Sequence, residues 1–106
     1  MIQGVNKMEI KSTKLADELT LELSGNLDTM TAPKLEETIK NELTDVKSLI
    51  FDLKDLEYIS SAGLRVLLKA QKAMNANGGA MKILSPSELV MEVFDVTGFA
   101  DILTIE

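Results

Sequence analysis

The sequence predicts an α/β fold, with one open, mainly parallel sheet and helices packed against it. Three observations lead there. A short alternating stretch near the start reads as an antiparallel hairpin. From residue 32 onward, helical and extended patterns take turns, as in βαβ units. The central run Ser48-Leu-Ile-Phe-Asp-Leu53 is continuously apolar almost to its end, which predicts a strand covered on both faces. The expected string is β-β-α-β-α-β-α-β with right-handed crossovers. A chain of 106 residues makes a single domain, 1–106, with residues 1–7 expected to fray.

Taken in order, Met8–Thr13 and Glu18–Ser24 are the first two strands. In the second, Leu19, Leu21 and Leu23 alternate with polar neighbours, giving one wet face. Lys14–Asp17 closes the hairpin. Gly25-Asn-Leu-Asp-Thr29 breaks the strand, and Thr31 or Thr29 is placed to cap a helix with Pro33 in its first turn. Ala32, Leu35, Ile39 and Leu43 form its apolar stripe, and Glu36–Lys40 is an i,i+4 pair on the outside. The central strand follows. The next helix starts at Ser61, turns Leu64, Leu67, Leu68 and Met74 inward, and ends at Asn77-Gly-Gly79. Ala80–Leu84 is a strand. Ser85-Pro-Ser-Glu88 reads as a capping box with Pro86 at the first helical position and a Leu84–Leu89 staple. Gly98 ends that helix, and Ile102–Ile105 is a short closing strand.

Composition excludes several kinds of function. The net charge is −6 and there is no basic run, which argues against nucleic acid as a partner. No apolar run approaches the roughly 20 residues of a membrane span, so no membrane association and a cytoplasmic location are expected. The chain has neither histidine nor cysteine; Ser-His-Asp catalysis and His/Cys zinc sites cannot be built. It has no P-loop and no Gly-x-Gly-x-x-Gly, and no cofactor is expected. Aromatic residues are scarce, so Leu, Ile, Val and the six methionines are assigned to the core as filler.

The candidate site is the turn at Ser60-Ser61. Serines at helix starts mostly cap and do nothing more. One serine suffices for that, and two stand here. If Ser60 caps, the hydroxyl of Ser61 is free at a helix N-terminus, where backbone N–H groups and the dipole favour a phosphate. Ala62 and Gly63 would offer amides, and Gly63 would permit close approach. Asp28, also at a strand-to-helix junction, is expected at the same sheet edge, either as an Asx turn or cap or as a charge facing the site. Asp52 and Asp55 read as turn or cap residues leading into it. Arg65, Lys69 and Lys72 form a polar helix face next to Ser61.

The segment Tyr58-Ile-Ser-Ser-Ala-Gly-Leu-Arg-Val-Leu-Leu68 resembles the signature of bacterial anti-sigma factor antagonists, the STAS domains. Gly25-Asn-Leu-Asp28, Ala32-Pro-Lys-Leu35, Leu49-Ile-Phe-Asp-Leu53, Ser85-Pro86 and Val96-Thr-Gly-Phe99 extend the resemblance over nearly the whole chain. It implies a STAS-type α/β domain that is not an enzyme but binds an anti-sigma factor with serine kinase activity. It further implies phosphorylation of Ser61, with Ser60 as second candidate, and resetting by a metal-dependent serine phosphatase. The implied partner-binding residues are Asp28, Ser60, Ser61, Ala62, Gly63, Arg65 and Lys69. One departure stands out: the family often carries Asp immediately before the phosphorylated serine, and here Ser60 stands there. The alternative is a STAS module that is never phosphorylated and serves as a scaffold or as a subunit of a signalling or lipid-transport complex.

Overall fold

A computed structural model describes residues 7–106; the fraying expected at the start falls, apart from Lys7, outside the described residues. The hairpin forms first. Strands β1 (Met8–Leu15) and β2 (Glu18–Leu27) pair antiparallel from Met8↔Gly25 to Leu15↔Glu18. A two-residue turn joins them, with Ala16 at φ 54, the sign that tight hairpin turns require at their first central residue. Helix α1 (Ala32–Glu42), strand β3 (Ser48–Ile59), helix α2 (Ser61–Ala76), strand β4 (Ala80–Leu84) and helix α3 (Glu88–Thr97) follow, with a 3₁₀ turn at Phe99–Asp101.

The sheet order is β1-β2-β3-β4, and β2, β3 and β4 run parallel. Leu19, Leu49 and Met81 lie abreast across the strands, as do Leu21, Phe51 and Ile83, and all six are buried. The rows between them, Thr20-Ile50-Lys82 and Glu22-Asp52-Leu84, are only half-buried. Right-handed crossovers that always step in one direction put every helix on the same face. The double coverage expected for β3 is therefore corrected: one face carries the core, and the other is open. Ile50 is shielded sideways by Thr20 and Lys82 of the neighbouring strands, so its apolarity, read as a sign of cover on both faces, needs no second helical layer. The helices bury the stripes their spacing announced, with Leu35 and Ile39 from α1 and Leu64, Leu67 and Met74 from α2.

Three further readings are corrected. Strand β3 runs on to Ile59, so Asp52 and Asp55 are strand residues, although Asp52 Oδ1 accepts from the Lys54 amide at 3.1 Å as a turn carboxylate does. The register shifts between Glu22 and Ser24 and again between Gly25 and Asn26. Each shift adds a residue to β3 and resets its alternation, so that Leu53, Leu56 and Ile59 all reach the core. Such bulges cannot be read from a period of two. At α3 the cap is Ser87, whose Oγ accepts from the Val90 amide at 3.2 Å. Ser85 instead takes φ 55 and donates its N–H to the Glu106 carbonyl at 3.0 Å. That bond delays the helix by two residues, places Val90 where the box needed a carboxylate, and leaves Leu89 50% exposed rather than stapled to Leu84. The closing strand is reduced to one parallel bridge, Ile83↔Ile105.

Replacing Ser87 by Ala should cost about 1 kcal/mol, and Ser85→Ala clearly less. Urea unfolding of both variants checks this; an equal or larger loss at Ser85 would restore the capping box.

Candidate functional site

The site stands where β2 and β3 end together. Leu27 pairs with Ile59, so Asp28 and Ser60 leave the sheet side by side at the carboxyl edge of the parallel strands. The Ser60 amide donates to the Leu27 carbonyl at 2.9 Å, which ties the two exits. Ser60 is the N-cap residue of α2 with extended backbone (φ −103, ψ 177). Its carbonyl accepts from the Leu64 amide at 2.9 Å and so starts the helix.

The two serines differ as the spacing suggested, with one surprise. Ser61 is the first helical residue and is exposed; among the described residues its hydroxyl makes no hydrogen bond. Ser60 occupies the cap position without making the side-chain cap bond. Its Oγ is buried and has no partner among the described residues. The first amides of α2 are therefore not claimed by a capping side chain. A buried, unpartnered hydroxyl costs stability.

Asp28 does what an Asx turn does. Its Oδ1 accepts from the Met30 amide at 2.9 Å and the Thr31 amide at 3.1 Å, and its carbonyl accepts from the Ala32 amide at 2.8 Å. Thr31 is the N-cap residue of α1 but makes no side-chain cap bond. Its hydroxyl accepts from the Asp28 amide at 2.9 Å and donates to the Asn26 carbonyl at 2.7 Å. The Asx turn of Asp28 is one of the two readings its sequence allows; the threonine's half of the clamp was not foreseen, although Asp-x-x-Thr just before a Pro-containing helix start is its signal. The clamp fixes the backbone of Met30, whose side chain is 73% exposed. Met30 thus departs from the assignment of methionine to the core, which Met8, Met74 and Met81 follow.

Gly63 is buried, and its backbone lies hard against the sheet. A Cβ there would stand 2.6 Å from Leu27 Cγ and 3.0 Å from Ile59 Cγ1. The glycine is required by helix–sheet packing rather than by a ligand's approach. Arg65 is exposed and in no ion pair among the described residues. Lys69 is not a free cation: it bonds Glu36 across the α1–α2 groove. That contact replaces the Glu36–Lys40 pair expected within α1. The Lys69 hydrogen bond and charge hold the Glu36 carboxyl below its ordinary pKa, with a smaller contribution from the Lys40 charge. Beside Ser61, a hollow of about 200 Å³ lies between the starts of α1 and α2, lined by Thr29, Ala32, Pro33, Ala62 and Arg65, among others.

Chemically, the arrangement offers one exposed hydroxyl, unpartnered among the described residues, at the start of a helix. Among the described residues, no three Asp or Glu side chains stand together as metal ligands would. No described helix is long and apolar enough to cross a membrane.

Comparison with known proteins bears on this geometry. The STAS domain family model matches residues 7–106. The anti-sigma-B factor antagonist of Bacillus subtilis (strain 168) is 32% identical over 89 residues, covering 84% of this chain and 82% of that protein. The fold matches the crystal structure of an anti-sigma factor antagonist from Mycobacterium paratuberculosis with a TM-score of 0.85 at 20% identity, over 98% of this chain and 89% of that one. It also matches the Bacillus cell fate determinant SpoIIAA, solved in its phosphorylated form, with a TM-score of 0.72 at 19% identity over 94% and 91% of the two chains.

Two outcomes test the packing and the electrostatics. Gly63→Ala should destabilise the domain by about 1–3 kcal/mol through overpacking, despite alanine's better helix propensity. Unfolding in urea measures it, and a stabilised variant would contradict the contact. Glu36 has a depressed folded-state pKa, so its contribution is present above the unfolded value and is lost as pH falls through the folded one. The difference in urea midpoint between the native chain and Glu36→Gln should therefore vanish on acidification and shrink with salt.

Proposed function

The chain belongs to the STAS domain family, and on that premise we propose that it is an anti-sigma factor antagonist switched by phosphorylation of Ser61. In the unmodified state it binds an anti-sigma factor that is also a serine kinase, so that the sigma factor is released. The kinase transfers the γ-phosphoryl group of ATP to the Ser61 Oγ, and the hydroxyl proton is lost. The antagonist then dissociates, and a metal-dependent serine phosphatase hydrolyses the ester to restore it. The setting is the cytoplasm.

The observation that carries this reading is the separation of the two serines. Ser61 is exposed at the first position of α2 with its hydroxyl free, while the Ser60 hydroxyl is buried. A kinase can reach the first and not the second. A phosphate on Ser61 adds about −1.5 to −2 charges at neutral pH. It lands over amides that no side chain caps and at the positive end of a helix dipole. The domain can hold that charge without unfolding, whereas a protein surface pressed against it must desolvate it. The switch is thus a changed surface on an unchanged fold. Asp28 stands at the same edge and adds a like charge, which sharpens the repulsion of any acidic group brought close.

Incubation with a kinase-type anti-sigma factor and ATP should place one phosphate on Ser61, read by mass spectrometry of the tryptic peptide. Ser61→Ala should remain bound to that factor, and Ser61→Asp should bind at least about tenfold more weakly. Far-ultraviolet dichroism should be the same for native and phosphorylated chains. A phosphate on Ser60, or equal affinity of the two variants, would refute the assignment.

A further inference from the structure

Large apolar side chains are normally withdrawn from water where the fold permits, so the exceptions are informative. Two of them stand at the carboxyl edge beside the serine turn. Met30 is 73% exposed and Tyr58 is 45% exposed. Tyr58 lies opposite Asn26 at the end of the β2–β3 pairing, two residues before Ser60. Met30 lies three residues beyond Leu27, the β2 partner of Ile59. The two therefore stand near the turn, one close to the end of each strand that leads into it.

Neither is exposed by looseness of the chain. The Met30 amide is bonded to Asp28 Oδ1 at 2.9 Å, inside the clamp that Thr31 closes. Tyr58 sits within β3, on backbone paired to β2. Side chains held out on rigid backbone lose less freedom when a partner covers them. Tyrosine and methionine are also enriched at the centres of protein interfaces. Asp28 is acidic, as are Asp55 and Glu57 on the strand that carries Tyr58, and Arg65, one turn along α2 from Ser61, is an exposed cation near them. Lys54 is engaged by Asp52 at 3.1 Å and Glu22 at 3.6 Å.

We propose that Met30 and Tyr58 are the apolar anchors by which the anti-sigma factor grips this domain around Ser61. The proposal rests on the function proposed above. It assigns to the partner a surface with an apolar centre, to cover these two side chains, bordered by lysine or arginine to meet Asp28, Asp55 and Glu57. It also explains why one phosphate suffices for release. Ser61 lies three residues after Tyr58, so its modification places a dianion close to a contact that must be dry for the anchors to contribute.

The test measures the affinity of the full chain for the purified kinase-type anti-sigma factor of its own host. Met30→Ser and Tyr58→Ser should each weaken binding at least about tenfold, with thermal unfolding unchanged. Leu15→Ser and Val96→Ser, also exposed but placed at the hairpin turn and late in α3, should bind as the native chain does. Native affinity in both anchor variants overturns the inference and leaves the proposed function standing. Equal weakening in all four variants also overturns it, because the loss would not be local to the edge. Failure of the native chain to bind that factor overturns the proposed function and this inference together.

Discussion

The structure depends on one close approach. At Gly63 the first turn of α2 comes so near the sheet that no Cβ fits between it and Leu27 and Ile59. Those two residues are themselves paired as the last rungs of β2 and β3. One point therefore joins two strand ends and a helix start, and the Ser60–Leu27 hydrogen bond reinforces it. Everything at the functional edge takes its position from this knot. A bulkier residue at 63 would lift the helix start and, with it, both serines. The same knot explains why the edge can be rigid although it is made of turns: each turn is anchored within a residue or two of a fully buried leucine or isoleucine.

Much of the fold was legible because each local signal had a single physical meaning. Leu19, Leu21 and Leu23 could only be one face of a strand, and Gly78 (φ 75) and Gly98 (φ 82) stop their helices as glycines do. The readings that failed share a cause: a second, distant contact outweighed the local signal. Ser85-Pro-Ser-Glu88 satisfies every requirement of a capping box, but the carbonyl of Glu106, from the far end of the chain, takes the Ser85 amide. Glu36 had Lys40 at the right spacing, but Lys69 from the neighbouring helix reached it. Asp52 and Asp55 looked like turn residues because the alternation broke there. It broke because β3 bulges against β2 and continues. No pattern within a short window contains these partners.

At the site, the positions were legible and the roles only partly so. Tandem serines after a buried strand placed Ser61 at the first helical residue, where it is found. What could not be read was the state of Ser60, whose hydroxyl is buried yet makes no cap bond. Nor could the reason for Gly63, since a missing Cβ looks the same in a sequence whether it admits a ligand or a leucine. The clamp of Asp28 and Thr31 was half visible: the Asx turn followed from residue type, while the threonine's reach back to Asn26 depends on how β2 ends. Met30 was hidden for a different reason. Methionine in a chain poor in aromatics is a reasonable core filler, and only its place inside the clamp turns it outward.

These features bear on how a domain this small would act as the proposed switch without a moving part. A phosphate usually reorganises a segment by competing for amides that are already in use or by pairing with a nearby cation. Here the leading amides of α2 are uncapped, because Ser60 occupies the cap position without spending its hydroxyl there. They can meet a new charge without giving up an old bond. Arg65, exposed one turn further along α2 and unpaired among the described residues, lies on the same helical face as Ser61 by its spacing. The proposed phosphorylated state would therefore need no compensating rearrangement within the domain. On that proposal the energetic consequence would fall on whatever covers the edge, and specificity would lie in the exposed side chains around Ser61 rather than in the fold beneath it.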